Sequence, residues 1–305
     1  MATQRREIDT TEGSRTTPMR VLVLGMPRTG TTSLTLALRK LGYNPYTMRN
    51  MLSTPRHIAL WQEATELTLL HPSPHGNSLA YTKPDFDKLL GANDSVTDLP
   101  TAVFAKELIE AYPDAKVILS TREYEAWEKE MQNSMWIFFT WELFNMARSI
   151  GITQMAPVMN VLHKLFEAHN GNAYGGPRAK AAFEKHNQTI RDLVPASQLL
   201  EFTPEQGWQE LCPFLDVEVP DARFPRVDEG KQLREGLERQ WWLMVRYLVL
   251  MIVAPGLVVL VAWVYWTYQD YFWGFLDEVL ARLAAFMGMS DSEWGRSVDQ
   301  GKSEL

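Results

Sequence analysis

A glycine-bounded turn between a short apolar run and a helical pattern constrains the fold of this chain more than any other feature. The run Val21 to Leu24 favours a buried parallel strand, and residues 32–41 have helical spacing that ends at Gly42. Between them, Gly25 and Gly30 are separated by four residues. Glycines let the backbone wrap around an anion, and the helix N-terminus favours negative charge. The sequence therefore predicts a loop that binds a phosphorylated ligand, with a ligand-free glycine turn as the alternative.

Two departures from a nucleoside-triphosphate loop limit the chemistry. The lysine expected after the second glycine is replaced by Thr31, and the nearest cation is Arg28 inside the loop. A second predicted strand, Lys116 to Ser120, runs into Thr121 and Arg122 without an aspartate for magnesium. Phosphoryl transfer relies on such cations, so the pattern favours metal-free transfer of a less charged group.

The order of elements predicts an α/β fold with a doubly wound, mainly parallel sheet built around the P-loop. Strand patterns separated by helical patterns imply right-handed crossovers between parallel strands. Besides the segments above, we predict helices over 104–112, 123–135 and 178–193, a strand over 199–202, and a short helix or turn over 207–214.

The segment from Tyr247 to Trp266 contains twenty consecutive residues without a charge. About twenty apolar residues span a bilayer as a helix, and aromatic residues flank this segment at both ends, as in membrane helices. Pro255-Gly256 would kink the helix or fold it into a re-entrant hairpin. The sequence predicts a C-terminal transmembrane segment that contacts the lipid bilayer, with a buried core helix as the alternative.

Composition and charge give the remaining organisation. The net charge of −7 argues against non-specific nucleic-acid binding, and the single cysteine, Cys212, excludes an internal disulfide and fits a buried small side chain. The predicted segments are a disordered arm (1–18), the P-loop domain (19–228), a linker (229–240), the transmembrane segment (241–268) and an amphipathic tail on the membrane surface (269–305).

Charges that flank the transmembrane segment predict its orientation. Four cations precede its apolar stretch, whereas Arg282 follows it among acidic residues. The positive-inside rule therefore puts the catalytic body in the cytosol. The preceding cations are Lys231, Arg234, Arg239 and Arg246.

At this point the residues resemble a known family. The stretch Val21-Leu-Val-Leu-Gly-Met-Pro-Arg-Thr-Gly-Thr-Thr-Ser-Leu34 resembles the 5′-phosphosulfate loop of P-loop sulfotransferases, and more narrowly the sulfotransferase-like proteins common in fungi and in secondary-metabolite pathways. The resemblance extends over roughly residues 19–228. Its further matching stretches are residues 98–122, 199–215 and 224–228.

The resemblance implies transfer of a sulfonate from 3′-phosphoadenosine-5′-phosphosulfate to a hydroxyl or amine of a small acceptor. It implies that Arg122 pairs with the 3′-phosphate, for which a salt bridge with Glu123 or Glu125 is the alternative. It further implies that Arg28 stabilises the transferring group. The 5′-phosphosulfate would be held by the loop residues Arg28, Thr29, Gly30, Thr31 and Thr32.

One position departs from the family pattern. A serine usually stands eight residues after the arginine, and this chain has Glu130 there, whose carboxylate would repel a phosphate. Ser134, one helical turn later, is the predicted weak substitute. Two alternatives to sulfonate transfer therefore stay open: a protein that keeps the fold without donor chemistry, and an NTP-dependent kinase.

An acceptor hydroxyl or amine requires a general base. Asp98 is the leading candidate because it opens the second matching stretch, and a helix N-cap is its alternative role. His186 and Asn187 are weaker candidates. The histidines form no credible metal set, and no metal is expected. His71 and His75 flank prolines and are interpreted as loop residues.

Aromatic and methionine residues are concentrated between Trp136 and Leu165. Such a stretch is typical of a helical core or of a lid over a pocket. The alternative is a wall that binds an apolar acceptor.

Overall fold

The computed structural model describes residues 6–71, 79–140, 156–226, 242, 245–246 and 249–287. The chain divides into two compact units, residues 1–236 and 237–305. In the described part of the first unit, the strands form one sheet: β1 (Val21–Val23), β2 (Pro45–Tyr46), β3 (Ser95–Val96), β4 (Lys116–Ser120) and β5 (Leu199–Phe202).

All strand pairs in this sheet are parallel, in the order β2-β3-β1-β4-β5. The central strand β1 pairs with both β3 and β4, and Val21 lies opposite Lys116 on β4. Parallel neighbours end at the same edge of a sheet, so the segments after β1, β3 and β4 meet there.

Helices connect the strands and cover both faces. The described α-helices of this unit are α1 (Thr31–Lys40), α2 (Met48–Ser53), α3 (Pro55–Ala64), α4 (Lys83–Leu90), α5 (Ala105–Ala111), α6 (Tyr124–Gln132), α7 (Ile137–Thr140), α8 (Ala156–Asn170), α9 (Gly176–Leu193) and α10 (Trp208–Leu215). Short 3₁₀ turns occupy Glu7–Thr10 and Thr101–Phe104, and a π-helical turn, Thr65–Leu70, continues α3.

Alternating side chains of β1 divide the core into two layers. Val21 and Val23 pack with residues of α1 and α10, whereas Leu22 belongs to the larger cluster on the opposite face. Cys212 of α10 is fully buried in the first layer, in agreement with its interpretation as a small apolar side chain. The predicted doubly wound α/β fold is confirmed.

The aromatic stretch after α6 contributes to the larger core layer. Trp136 is fully buried and Phe139 is 5% exposed, and each contacts the ring of Phe166 edge-on. For these two residues the structure favours core packing over an acceptor wall. Trp141 and Phe144 lie outside the described residues.

The N-terminal segment is not the predicted disordered arm over residues 6–18. Ile8 is fully buried in the main core, and two arginines pair with carboxylates of α4: Arg6 with Asp85 at 2.9 Å and Arg15 with Asp87 at 2.7 Å. The segment therefore packs against the body through one apolar anchor and two ion pairs, which its polar composition concealed. Residues 1–5 lie outside the described residues.

The second unit contains a π-helical turn, Val249–Val253, that leads directly into α11 (Ala254–Phe286). Pro255 lies in the first turn of α11, where proline is tolerated because its missing N–H is not needed there. The backbone stays helical through Pro255-Gly256. The re-entrant hairpin, one of the two predicted outcomes at this site, is therefore wrong.

Helix α11 also continues without a break past the predicted boundary at residues 268 and 269, so residues 269–286 are not a separate tail. Its apolar side chains are mostly exposed, including Trp266 at 73% and Tyr271 at 78%. This exposure argues against the buried-core alternative. The 38-residue span Val249–Phe286 is long and apolar enough to cross a membrane. Residues 229–240 and 288–305 lie outside the described residues.

Gly25 permits a close contact between the end of β1 and the end of β4. A Cβ at this position would lie 2.0 Å from Ser120 Oγ and 2.3 Å from the Ser120 carbonyl oxygen. We predict that Gly25→Ala destabilises the body by about 3 kcal/mol or more and lowers its Tm by about 6–12 °C. Thermal unfolding of the full chain in detergent, followed by circular dichroism, measures this effect.

Gly42→Ala is the matched control, because a Cβ there meets no atom within 4 Å and only the backbone angle of +85° opposes it. We expect a cost of about 1 kcal/mol for this variant. Ser120→Gly should not rescue Gly25→Ala, since the clash with the backbone oxygen persists. Equal stability of the two alanine variants would contradict the close contact.

The buried position of Ile8 predicts that the N-terminal segment contributes to stability. We expect Ile8→Ala to lower the free energy of unfolding by about 2–4 kcal/mol, because it leaves a cavity in the main core. Leu52→Ala, at a position that is 39% exposed, is the control and should have a much smaller effect. Unchanged thermal stability of Ile8→Ala would contradict the packing of this segment and support the predicted disordered arm.

Candidate functional site

The loop between β1 and α1 turns sharply through two residues in the left-handed region. Arg28 has φ 71° and Gly30 has φ 98°. A side chain at Gly30 would also collide with Pro204, since a Cβ would lie 2.4 Å from its Cγ. Glycine is therefore required at residue 30 by conformation and by space. The strained conformation of Arg28 lies in the segment predicted to bind the anion, as is common at functional sites.

Side-chain hydrogen bonds hold this loop from outside. Thr29 Oγ1 donates to the Met26 carbonyl at 2.7 Å and lies 2.6 Å from Ser120 Oγ. Trp127 Nε1, on α6, donates to the Pro27 carbonyl at 2.8 Å. The loop is thus held in shape by neighbouring elements before any ligand binds, which reduces the entropy cost of binding.

The first turn of α1 follows the loop directly. Thr31 is buried at 2% exposure and opens the helix, and Thr32 is half-buried beside it. Thr35 Oγ1 donates to the Thr31 carbonyl at 2.8 Å, which fixes this turn. The N-terminus of a helix carries a partial positive charge, so the start of α1 next to the loop favours an anion.

One carboxylate joins the two predicted arginines. Glu130 Oε2, on α6, accepts a hydrogen bond from Arg28 Nη2 at 2.8 Å, and Glu130 Oε1 lies 3.9 Å from Arg122 Nη2. Arg122 Nη1 donates to the Arg28 carbonyl at 2.9 Å. We call these three residues the arginine–glutamate ring. Arg122 therefore pairs with Glu130, and not with Glu123 or Glu125 as in the alternative that the sequence left open.

Ser134 does not fit its predicted role as a phosphate ligand. It is 3% exposed, and its hydroxyl donates to the Glu130 carbonyl one helical turn earlier. A serine has one hydroxyl proton, and here that proton is used within the helix. The structure therefore does not favour Ser134 as a phosphate ligand in place of the serine that the family pattern has at position 130.

Asp98 lies just beyond the carboxyl end of β3, beside α1. The preceding residue, Thr97, has its Oγ1 2.8 Å from Thr35 Oγ1 of α1. Asp98 has φ 68°, and its backbone carbonyl accepts hydrogen bonds from Thr101 Oγ1 and the Ala102 amide. The residue that caps the 3₁₀ turn is Pro100, so the N-cap alternative for the Asp98 side chain is not supported.

His186, on α9, supports the loop rather than facing it as a free base. Its Nε2 lies 2.8 Å from the Leu24 carbonyl, which can only accept, so Nε2 carries a proton. Burial lowers the pKa of His186, although the bond to Leu24 opposes this. Burial and the neighbouring His186 lower the pKa of His169 to about 3. The bond to Leu24 gives His186 a structural role in holding the end of β1, so Asp98 stays the leading candidate for the general base.

The structure describes two of the other polar candidates, Asn187 and His71. Asn187 is buried at 7% exposure, and His71 is an exposed residue that ends the π-helical turn after α3. His75 lies outside the described residues. Among the residues that the structure describes, no three His, Cys, Asp or Glu side chains are grouped as metal ligands.

Several residues of the site were missed by the sequence reasoning. Ser120 and Trp127 bond the loop, and Glu130 joins the arginines although it was expected only to repel phosphate. Ser120 ends a strand that was predicted correctly, and its place opposite Gly25 follows once β4 is paired with β1. No local signal identified the bond of Trp127.

Comparison with known proteins identifies the family. Residues 20–233 match the family model described as "Sulfotransferase domain". The chain is also 37% identical over 214 residues to a protein of Aspergillus versicolor named "Ava biosynthesis cluster protein M", covering 68% of this chain and 80% of the relative. The match spans the loop between β1 and α1, all strands of the described sheet and the arginine–glutamate ring. The chain therefore belongs to the sulfotransferase domain family.

Proposed function

We propose that this protein is a membrane-anchored sulfotransferase-like enzyme. In this proposal it transfers a sulfonate from 3′-phosphoadenosine-5′-phosphosulfate to a hydroxyl or amine of a small apolar acceptor. The observation that supports it most strongly is the pre-shaped loop with two arginines, in which Arg122 bonds the backbone carbonyl of Arg28. Membership of the sulfotransferase domain family supports sulfonate as the transferred group.

The loop residues fit the 5′-phosphosulfate end of the donor. Backbone amides around Gly30 and the first turn of α1 suit an anion, and Thr31 and Thr32 add hydroxyl groups. Arg28 supplies positive charge where negative charge develops on the leaving phosphate. Arg122 suits a terminal phosphate, since a guanidinium offers paired donors in a fixed plane.

The proposed step is an in-line displacement at sulfur. The acceptor oxygen or nitrogen forms a bond to sulfur as the bond between sulfur and the bridging phosphate oxygen breaks. The leaving group is adenosine 3′,5′-bisphosphate, which keeps the electron pair of the broken bond. Asp98 takes the proton from the acceptor, in keeping with its place beside the start of α1.

The acceptor and the location of the enzyme are proposed from the second unit and from the relative. The helical segment Val249–Phe286 is long and apolar enough to cross a membrane, which supports anchoring in a bilayer, where apolar acceptors concentrate. The charge bias around that span supports a cytosolic body. The relative is named as a biosynthesis cluster protein, which supports a place for this chain in secondary metabolism.

A protein that keeps the fold without donor chemistry is the second candidate. The observation that favours it is the pairing of Glu130 with both arginines, since the same cations would have to hold the donor. A kinase is a weaker alternative, because residue 31 is threonine and β4 runs into Thr121 and Arg122 without a magnesium aspartate.

Ligand binding distinguishes these candidates. We predict that the full chain in detergent binds adenosine 3′,5′-bisphosphate, and that Arg122→Ala weakens this binding by about 10- to 100-fold, through loss of a charge-assisted contact. Isothermal titration calorimetry measures both affinities. Arg191→Ala is the matched control, because this arginine pairs with Glu201 in a surface salt bridge.

Tight binding of ATP that depends on magnesium would support the kinase and refute sulfonate transfer. Absence of binding for both nucleotides would support the protein without donor chemistry. Equal effects of Arg122→Ala and Arg191→Ala would refute the assignment of Arg122 to the donor.

The apolar span predicts tight membrane association. We expect the full chain to stay in the membrane pellet after alkaline carbonate extraction and a chain that ends at residue 236 to be released, since burial of the span in lipid is strongly favourable. Immunoblotting of both fractions measures the distribution. In sealed vesicles with the cytosolic side outward, added protease should digest the body. Release of the full chain by carbonate would refute anchoring, and a protected body would reverse the orientation.

A further inference from the structure

The arginine–glutamate ring contains a charge that a site for two phosphates does not require. The carboxylate of Glu130 contacts Arg28, a residue of the loop, and approaches Arg122, a residue that follows β4. It therefore lies between the part of the site proposed for the 5′-phosphosulfate and the part proposed for the 3′-phosphate. Two guanidiniums and one carboxylate leave a single net positive charge in the ring.

A 3′-phosphate would have to compete with this carboxylate. To form its own bonds to Arg122, the phosphate either displaces Glu130 or binds beside it against like-charge repulsion. Either route reduces the gain in binding affinity that a 3′-phosphate gives the donor. Glu130 is 37% exposed and Arg122 is 40% exposed, so solvent screens the repulsion and the reduction is moderate.

A ribose hydroxyl at the same position would be attracted by the carboxylate of Glu130, whereas a phosphate is repelled by it. A hydroxyl donates to a carboxylate, and acidic residues hold free ribose hydroxyls in dinucleotide sites where an arginine accommodates the phosphorylated form. Glu130 would accept that bond while the ring stays intact. The pairing thus penalises a 3′-phosphate and favours a 3′-hydroxyl.

On the basis of the proposed function, we infer that Glu130 is a specificity-determining residue of the donor site, which reduces the preference for a 3′-phosphate over a 3′-hydroxyl. The enzyme then accepts adenosine 5′-phosphosulfate, the donor that lacks the 3′-phosphate, more readily than a site with a neutral residue at position 130 would. The inference requires no new reaction, because the same bond between sulfur and oxygen breaks with either donor.

The test compares two nucleotides on the same proteins. The dissociation constants of adenosine 3′,5′-bisphosphate and adenosine 5′-monophosphate are measured by calorimetry with the full chain in detergent. Glu130→Gln keeps the shape and removes the charge, and Glu130→Ser, with the usual family residue, is a second variant in case the first does not fold. Glu125→Gln is the matched control on the same helix, where the carboxylate pairs with Lys180 at 2.9 Å.

The preference for the bisphosphate is the dissociation constant of the monophosphate divided by that of the bisphosphate. We expect this ratio to rise about 10-fold in Glu130→Gln. It should rise similarly in Glu130→Ser and stay unchanged in Glu125→Gln. The ratio cancels general losses of folding, which affect both nucleotides alike. If both nucleotides bind and the ratio is unchanged or falls in the Glu130 variants, the inference is overturned while the proposed function stands. If the wild-type chain and both Glu130 variants bind neither nucleotide, the proposed function fails and the inference fails with it.

Discussion

The close parallel pairing of β1 with β4 is the constraint on which the site depends. Their ends approach so closely that residue 25 has no room for a Cβ beside Ser120. The contact brings Thr29 within hydrogen-bond distance of Ser120, and it brings Arg122, two residues past β4, to the carbonyl of Arg28. Groups from distant parts of the sequence therefore converge because two strands end at the same edge.

The loop and the arginine–glutamate ring differ in how firmly they are held. The loop is fixed by buried donors, such as Trp127 Nε1, that bond its backbone carbonyls. These bonds hold the loop in a shape that includes the unfavourable backbone angle of Arg28. Glu130, by contrast, is more than a third exposed and can exchange its partners at low cost. The site thus combines a loop that is fixed by buried hydrogen bonds with a carboxylate, that of Glu130, whose partners can change.

The sequence predicted those parts of the molecule that depend on local pattern. The strands β4 and β5 and the turn between β1 and α1 were located correctly because apolar runs and glycine spacing are local signals. The packing of Ile8 was not predicted, because a polar segment gives no sign that one of its apolar residues is buried in the core. The pairing of Arg28 with Glu130 joins residues 102 positions apart, so only the fold reveals it. The sequence identified Glu130 as anomalous but not its partners.

The cation content of the site is consistent with the transferring group that we propose. A phosphoryl group in transfer spreads several negative charges over its oxygens and depends on lysine and metal ions, whereas a sulfonate carries fewer charges and requires less compensation. A site with Arg28 and Arg122 can therefore tolerate one carboxylate nearby. In a magnesium-dependent kinase, the same carboxylate would oppose the charge stabilisation on which the reaction depends. Glu130 is thus compatible with sulfonate transfer for the same reason that Thr31 is: the reaction needs less positive charge.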